Sequence, residues 1–407
     1  MNIDWSLFNN PMIKPGVKLM HDITASGFEA YIVGGTVRDI AMGHLDIHDI
    51  DIATNMPIDT IKRLYKTIEY GGGEKHGTVI VVVDGFNYEL TQFRTEGTYS
   101  DNRRPDSVTF VNDFKEDTKR RDFTINAMGV DCNGVVIDYH GGLDDIKNKK
   151  LRTVGNAIDR FTEDSLRILR AVRFASRFGF TVDSDILYAI TELKSTVNNT
   201  SMERIRDEFV KMISHGGVRF VDALKLMDST GLLSVVFPEL KVSQKLFDSI
   251  IRCDGLIPIL SVLTHGMSRG ALSGFKERVK LDNQILKGLL FISNNIKPYS
   301  ILATLGTSIA VSIVSDEYFP LLRMVYCALN EGIDSQCDEA IEELISLLPV
   351  LDYGSHVSGL IMSEGVNPSK LFGEIKYCTL DYIFTYYKVY SSIPSDEVII
   401  SYIKSYI

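Results

Sequence analysis

Hydrophobic and polar positions follow two different periods along the chain, and the change falls near residue 150. Before it, short β-like runs alternate with short helical ones. Residues 29–34 read as a strand that ends in Gly34-Gly35, and 36–42 as the start of a helix. Asp49-Ile50-Asp51-Ile52-Ala53 alternates polar and apolar, as a half-buried strand does. Residues 57–65 fit a short helix opened by Thr54 or Asn55. Two β-rich runs, 78–83 and 86–93, flank Asp84-Gly85, a strong hairpin signal. Residues 94–105 are polar and turn-rich and predict a mobile loop. A strand is expected over 107–111, a helix over 122–128, and a second hairpin around Asn133-Gly134.

After residue 150 the period becomes helical. Leu166, Leu169, Ala171, Val172 and Phe174 fall near helical spacing within 163–178, and similar patterns continue to the end, broken by Gly, Pro and Asn. No fixed-period repeat interrupts them. The expected fold is α+β: a mixed-sheet head over 1–149, then a helical neck over 150–215, a helical body over 216–300 and a helical tail over 301–407. The longest uncharged stretch, 298–315, contains Ser300, Thr304, Gly306 and Ser312 and reads as a buried or partly buried helix. A membrane span would need about 20 mainly apolar residues.

Composition narrows the classes. With 45% apolar and 24% charged residues, the chain is neither disordered nor a small disulfide scaffold. Its five cysteines form no Cys-x-x-Cys pair, which speaks against a zinc ribbon or a thioredoxin-like site. Scattered free thiols suit a reducing compartment, and residues 1–11 show neither a basic start nor an apolar run, so a cytoplasmic protein is expected. A net charge of −10 argues against an indiscriminate nucleic-acid binder. The charge is uneven: 1–150 carry −6, 151–220 carry +2 and 221–407 carry −6. The basic stretch fits an anionic substrate or simply a solvated helix face.

The sharpest constellation is Gly34-Gly35, thirteen residues, then Asp49-Ile50-Asp51. In a strand, residues i and i+2 share a face, so Asp49 and Asp51 would stand side by side. Two adjacent carboxylates repel unless a cation lies between them, and a hard oxygen-seeking ion such as Mg²⁺ resolves the conflict. Glycines without Cβ atoms let backbone N–H groups approach a phosphate, and a helix opening at Thr36 would add its dipole. Either element alone could be a tight turn or an exposed strand edge. Joined at this spacing they favour a triphosphate cradle beside a metal site. Glu89, in the next strong strand pair, is a candidate third acid, although an exposed strand position would look the same.

Gly34-Gly35-Thr36-Val37-Arg38-Asp39 with Asp49-Ile50-Asp51 resembles the metal-binding motif of the polymerase β-like nucleotidyltransferases. The nearer resemblance is to the class II branch of tRNA nucleotidyltransferases and bacterial poly(A) polymerases. Further motifs of that branch follow in order: Arg120-Arg121-Asp122 through Met128, Asp138 to Asp145, Glu163-Asp164-Ser165-Leu166-Arg167, and Glu203-Arg204 with Glu208. The resemblance implies a polymerase β-like head and a template-independent enzyme that adds CCA to tRNA 3′ ends from CTP and ATP, with Mg²⁺ as cofactor. Poly(A) addition, partial addition of CC or A, and a catalytically silent RNA-binding relative are the alternatives.

It also implies roles. Asp49 and Asp51 would bind metal, with Glu89 completing the catalytic acids. Gly34, Gly35 and Arg38 would meet the triphosphate; Arg121, Asp122 and Asn126 would meet ribose and nucleotide. Asp164, Arg167 and Arg170 would select the base, Asp164 and Arg167 from one helix face. Arg94, Asp101 and Arg103 lie in the segment that resembles the flexible loop of full CCA-adding members. Arg173, Arg177 and Arg204 would contact RNA. Asp122 could also hold Arg120 or Arg121. Glu74-Lys75-His76-Gly77-Thr78 resembles a segment of the tRNA enzymes, and no role is assigned to His76. Neither a membrane nor a protein partner is expected.

Overall fold

The structure, a computed structural model, describes residues 1–68, 77–99, 105–302, 305, 307–330, 332, 339, 341, 342, 344, 345, 353–366, 370–390 and 392–407. Two compact units emerge: residues 1–215 with 219–240, and residues 216–218 with 241–407.

The first unit is built on a seven-stranded mixed sheet. Its strands are β1 (Ala30–Val33), β2 (Asp51–Thr54), β3 (Thr67–Ile68), β4 (Thr78–Val83) and β5 (Phe86–Gln92). A separate ribbon pairs β6 (Arg94–Glu96) with β7 (Val108–Phe110), and β8 (Met128–Val130) and β9 (Val136–Asp138) complete the large sheet. Its order is β3-β4-β5-β2-β1-β8-β9, and only β2 and β5 run parallel. The β4–β5 hairpin turns at Asp84 and Gly85, both with positive φ, as a tight two-residue turn requires.

Period-two alternation gives the sheet two faces. Ile32, Ile52, Val79, Val81, Tyr88 and Leu90 face helix α1 (Ile13–Ala25) in the main core. Gly16 lets that helix approach: a Cβ there would lie 2.9 Å from the Tyr88 ring. The fully buried Tyr88 donates its hydroxyl to the Met12 carbonyl at 2.7 Å. On the opposite face Val33, Ala53, Phe93 and Phe114 form a small core, with Tyr31 stacked 4.5 Å from Phe114. Each such fully buried aromatic contributes roughly 1.5–3 kcal/mol of transfer free energy. Asp51 and Glu89 stand on this second face, beyond the end of the aromatic cluster.

Further helices of the unit are α2 (Gly35–Ala41), α3 (Ile58–Leu64), α4 (Phe114–Thr118), α5 (Gly142–Lys147), α6 (Ala157–Glu163), α7 (Leu166–Phe178), α8 (Ser184–Leu193), α9 (Met202–Ile213), most of α10 (Gly217–Ser229) and α11 (Leu232–Val236). In the second unit helices alone are described. Asn283–Tyr299 and Leu256–Leu263 pack on Phe319–Asn330, while Lys370–Tyr390 receives Thr307–Val314, Tyr353–Ser363 and Asp396–Lys404. The sequence-predicted α+β head with helical remainder is therefore the observed architecture, except that the expected all-helical neck also holds a short parallel strand pair, Lys150–Leu151 with Thr181–Val182. No helix among the described residues is long and apolar enough to cross a membrane.

Several local expectations are corrected. Strand β2 begins at Asp51, so Asp49 lies outside it. The expected loop 94–105 opens as strand β6. Residues 122–128 form one 3-10 turn (Thr124–Asn126) and then β8, because Asp122 Oδ1 takes the Phe123 N–H and the Arg152 carbonyl takes the Thr124 N–H. The helix expected over 163–178 breaks at Asp164, whose φ of −140° and ψ of 105° are extended. Helix α3 has no side-chain cap, since Thr54 donates to the Glu29 carbonyl and Asn55 accepts from the Glu29 N–H. The uncharged stretch 298–315 is divided between the end of one helix, at Tyr299, and a second, Thr307–Val314.

Candidate active site

Register brings the acids together. Val33 pairs with Asp51 across β1 and β2, and Asp51 with Glu89 across β2 and β5. In-register residues of neighbouring strands point the same way, so the Asp51 and Glu89 carboxylates share the open face. Asp49 precedes the strand in an irregular segment that Thr36 holds by donating its hydroxyl to the Asp49 carbonyl at 2.9 Å. Partial desolvation of the otherwise exposed Asp51, then the charges of Glu89 and Asp49, raise its pKa to about 6 against the opposing pull of Arg121.

The chain turns immediately above these acids. Gly34 has φ 70° and ψ −132°, a conformation that side chains disfavour. A Cβ there would sit 3.9 Å from Asp51 Oδ2 and 4.0 Å from Arg121 Nη1, between acid and base. Like charges beside one guanidinium form an all-oxygen donor set that a hard divalent cation fits. Among the described residues no three His, Cys, Asp or Glu side chains close on a single point. That suits an ion bound by one or two carboxylates and completed by water and substrate phosphate, as Mg²⁺ characteristically is.

Arg121 is set in place by a residue the sequence reading missed. Asp117, fully buried at the end of α4, accepts from Arg121 Nη2 at 3.0 Å, from Arg120 Nε at 2.9 Å and from the Arg94 backbone N–H at 3.2 Å. Burial alone would raise its pKa, but Arg121, Arg120 and these hydrogen bonds carry it below the ordinary value. Asp122 does not hold either arginine of the pair. The signal was present: Asp117 stands three and four residues before Arg120 and Arg121, a spacing that lets side chains meet on a helical turn. The Arg121 Nε is buried and has no partner within the protein.

A second chain of contacts runs behind the glycines. Arg38 is not an open phosphate contact; it is 4% exposed. It donates Nη1 to Asn126 Oδ1 at 2.8 Å and Nε to Asp39 at 2.8 Å, and its guanidinium lies over Phe178 at 4.8 Å. Asn126 donates to Asp122 Oδ1 at 3.2 Å, and Asp122 Oδ2 accepts from Arg170 Nε at 2.8 Å and Nη2 at 2.6 Å. Burial opposes ionisation of Asp122, but Arg170 and Arg167 overcome it and bring the pKa to about 2.

Helix α7 presents its arginines to acids on four different elements. Arg167 pairs with Glu163, Arg170 with Asp122, Arg173 with Glu208 and Arg177, at 3.8 Å, with Asp39. The expected arginine stripe open to RNA is thus corrected at Arg173, which is buried, its guanidinium 4.2 Å from the Phe174 ring centroid. Arg170 and Arg177 stay about one-third exposed. Asp164 and Arg167 do not share one helix face, because Asp164 lies in the break before α7. Asp164 accepts from Arg204 Nη2 at 2.9 Å. Arg167 gives Nη1 hydrogens to Glu163 and the Arg160 carbonyl, and one Nη2 hydrogen to the Arg120 carbonyl.

Arg94 starts the ribbon that leads into the expected flexible segment, and it shares the buried Glu96 carboxylate with Arg120 and the Tyr99 hydroxyl. Asp101 and Arg103 lie outside the described residues, as do Glu74, Lys75 and His76.

Known proteins bear on this geometry. Residues 30–152 match the family model described as the poly(A) polymerase head domain. Residues 179–243 match one described as a probable RNA and SrmB-binding site of polymerase A. A CCA-adding enzyme of Bacillus pumilus is 40% identical over 288 residues, covering 69% of this chain and 70% of that one. One from Enterococcus faecalis is 49% identical over 201 residues, and the match spans only 49% of its length. The crystal structure of the Bacillus stearothermophilus CCA-adding enzyme in complex with CTP aligns over 97% of this chain and 98% of that one, with 28% identity and a TM-score of 0.75.

Proposed function

The chain belongs to the family of CCA-adding enzymes, and from that premise we propose that it adds C, C and A to the 3′ end of tRNA, using CTP and ATP and releasing pyrophosphate. The observation that carries the chemistry is the in-register pairing of Asp51 with Glu89 beneath Gly34 and beside Arg121, with Asp49 near enough to raise the Asp51 pKa. Asp49 and Asp51 would hold Mg²⁺, with Glu89 completing the acidic face, and the ion would supply activation of the RNA 3′-hydroxyl and neutralisation of charge on the departing pyrophosphate.

The chain's own residues position the reactants, which is most of the catalytic work in such transfers. Gly34 and Gly35 let the backbone approach the triphosphate. Arg121, held by Asp117, turns guanidinium hydrogens toward it. The Arg38–Asn126–Asp122–Arg170 chain keeps the glycine turn and α7 in register. With three hydrogens already engaged, Arg167 retains its Nε–H and one Nη2 hydrogen of the five a guanidinium carries. These two donors, with the acceptor lone pairs left on Asp164, match the edges of cytosine and adenine. Arg177, Arg204 and the exposed edge of Arg170 would face RNA phosphates, and the segment with Arg94, Asp101 and Arg103 would act at the final adenosine. A tRNA-finishing role would be exercised in the cytoplasm.

Asp49→Ala and Asp51→Ala test the reading. Each should abolish nucleotide transfer while retention of tRNA on a filter is unchanged. Transfer that persists in both variants would overturn the carboxylate assignment.

A further inference from the structure

The second unit contains a cavity of about 550 Å³ that none of the roles above uses. Lys241, Lys245 and Lys297 line it together with His265. None of its lining residues is Asp or Glu. None of the three lysines makes an ion pair among the described residues, although segment 221–407 carries a net −6. The positive charge is felt inside the pocket: partial burial first, then Lys245 and Lys297, push the His265 pKa down. Three like charges gathered in an acidic segment cost Coulomb energy, which a bound anion would offset.

The rest of the lining is of another kind. Leu246, Val262, Leu263, Ile296 and Leu329 belong to it, and the Tyr326 ring completes it. Ser243, Ser249 and Ser300 also line the cavity, the last two giving their hydroxyl hydrogens to the Lys245 and Lys297 carbonyls. A nucleic-acid backbone needs only a charged, open surface, and an apolar recess adds nothing to it. A lining that combines cationic and apolar side chains fits a ligand with an anionic head and a flat, weakly polar body, and the volume is that of a small-molecule site. Aromatic and aliphatic walls accept a base by stacking, while lysine ammonium groups bind phosphate as point charges.

We propose that this cavity, lined by Lys241, Lys245 and Lys297 and by Leu263 and Tyr326, is a second nucleotide-binding site for a nucleoside di- or triphosphate, separate from the carboxylate site. It takes no part in transfer. The proposal stands independently of the activity assigned to the first unit.

Equilibrium dialysis of the full chain with radiolabelled ATP, in the absence of RNA, reads the number of sites. The wild-type protein should bind about two ATP per chain. The exposed-residue variant Lys245→Glu/Lys297→Glu should bind about one, with circular dichroism, tRNA affinity and rate of transfer unchanged. Lys241→Gln should weaken the second site without removing it. One ATP per chain in both the wild type and the double variant would overturn the proposal. So would unchanged ATP stoichiometry with a tenfold loss of tRNA affinity, which would make these lysines a backbone-contact surface instead. Loss of transfer in Asp51→Ala with two ATP still bound would leave both assignments standing.

Discussion

Replacing Asp122 by Asn tests whether a buried charge joins the glycine turn to helix α7. Asn keeps the shape but removes the negative charge that Arg170 meets through Nε and Nη2. In the folded protein the Asp122 pKa lies at about 2, against an ordinary value of 3.8. A depression of that size corresponds to roughly 2 kcal/mol of stability at neutral pH. The sign follows from linkage: because the folded pKa is the lower one, the contribution is complete above about pH 5. It shrinks as the pH falls through 4 toward 2, where the folded state also takes the proton. Trp5 is the sole tryptophan and lies in the first unit, so its fluorescence reports that unit's unfolding alone. Urea titrations at pH 7 should show Asp122→Asn less stable than wild type by about 2 kcal/mol, and the gap should narrow at pH 3.5. Equal stability at pH 7, or a gap that stays constant down to pH 3.5, would refute the argument.

Two further substitutions probe the same scaffold. Gly34→Ala meets no close atom, yet it must adopt φ 70° and ψ −132°, so it should cost about 1–3 kcal/mol in a urea titration and suppress transfer. Gly35→Ala, inside a helical turn, should cost less, and equal losses would show that backbone conformation is not what selects Gly34. Arg173→Ala and Glu208→Ala should each destabilise the first unit by about 3 kcal/mol, because each strands a buried partner. The double variant should lose well under their sum, and a strictly additive result in the double-mutant cycle would mean the pair does not interact.

What the sequence disclosed depended on how local the determining contact was. Asp84-Gly85 announced its hairpin because the turn chemistry lies in two adjacent residues. Asp51 beside Gly34 was legible from the motif. The partnership of Asp51 with Glu89 was only a candidate, because it rests on the register of a parallel strand pair 38 positions apart, which no local pattern encodes. The helical period through 163–178 concealed the break at Asp164, where Asp164 Oδ1 accepts from the Leu166 N–H and Ser165 bonds Thr200. The arginine stripe on α7 looked like an RNA surface because periodicity shows which residues share a face but not what covers it. Glu208 lies 35 positions beyond Arg173, and its contact converts an apparent binding residue into a core ion pair.

The most direct test of the central claim is product length on defined acceptors. Three tRNAs ending before CCA, after C and after CC would be incubated with the enzyme, Mg²⁺, CTP and ATP, and resolved on a gel. Growth by three, two and one nucleotides, followed by a stop, is the result expected of a site that reads cytosine and then adenine. Long ladders with ATP alone, or no extension of any acceptor, would contradict it.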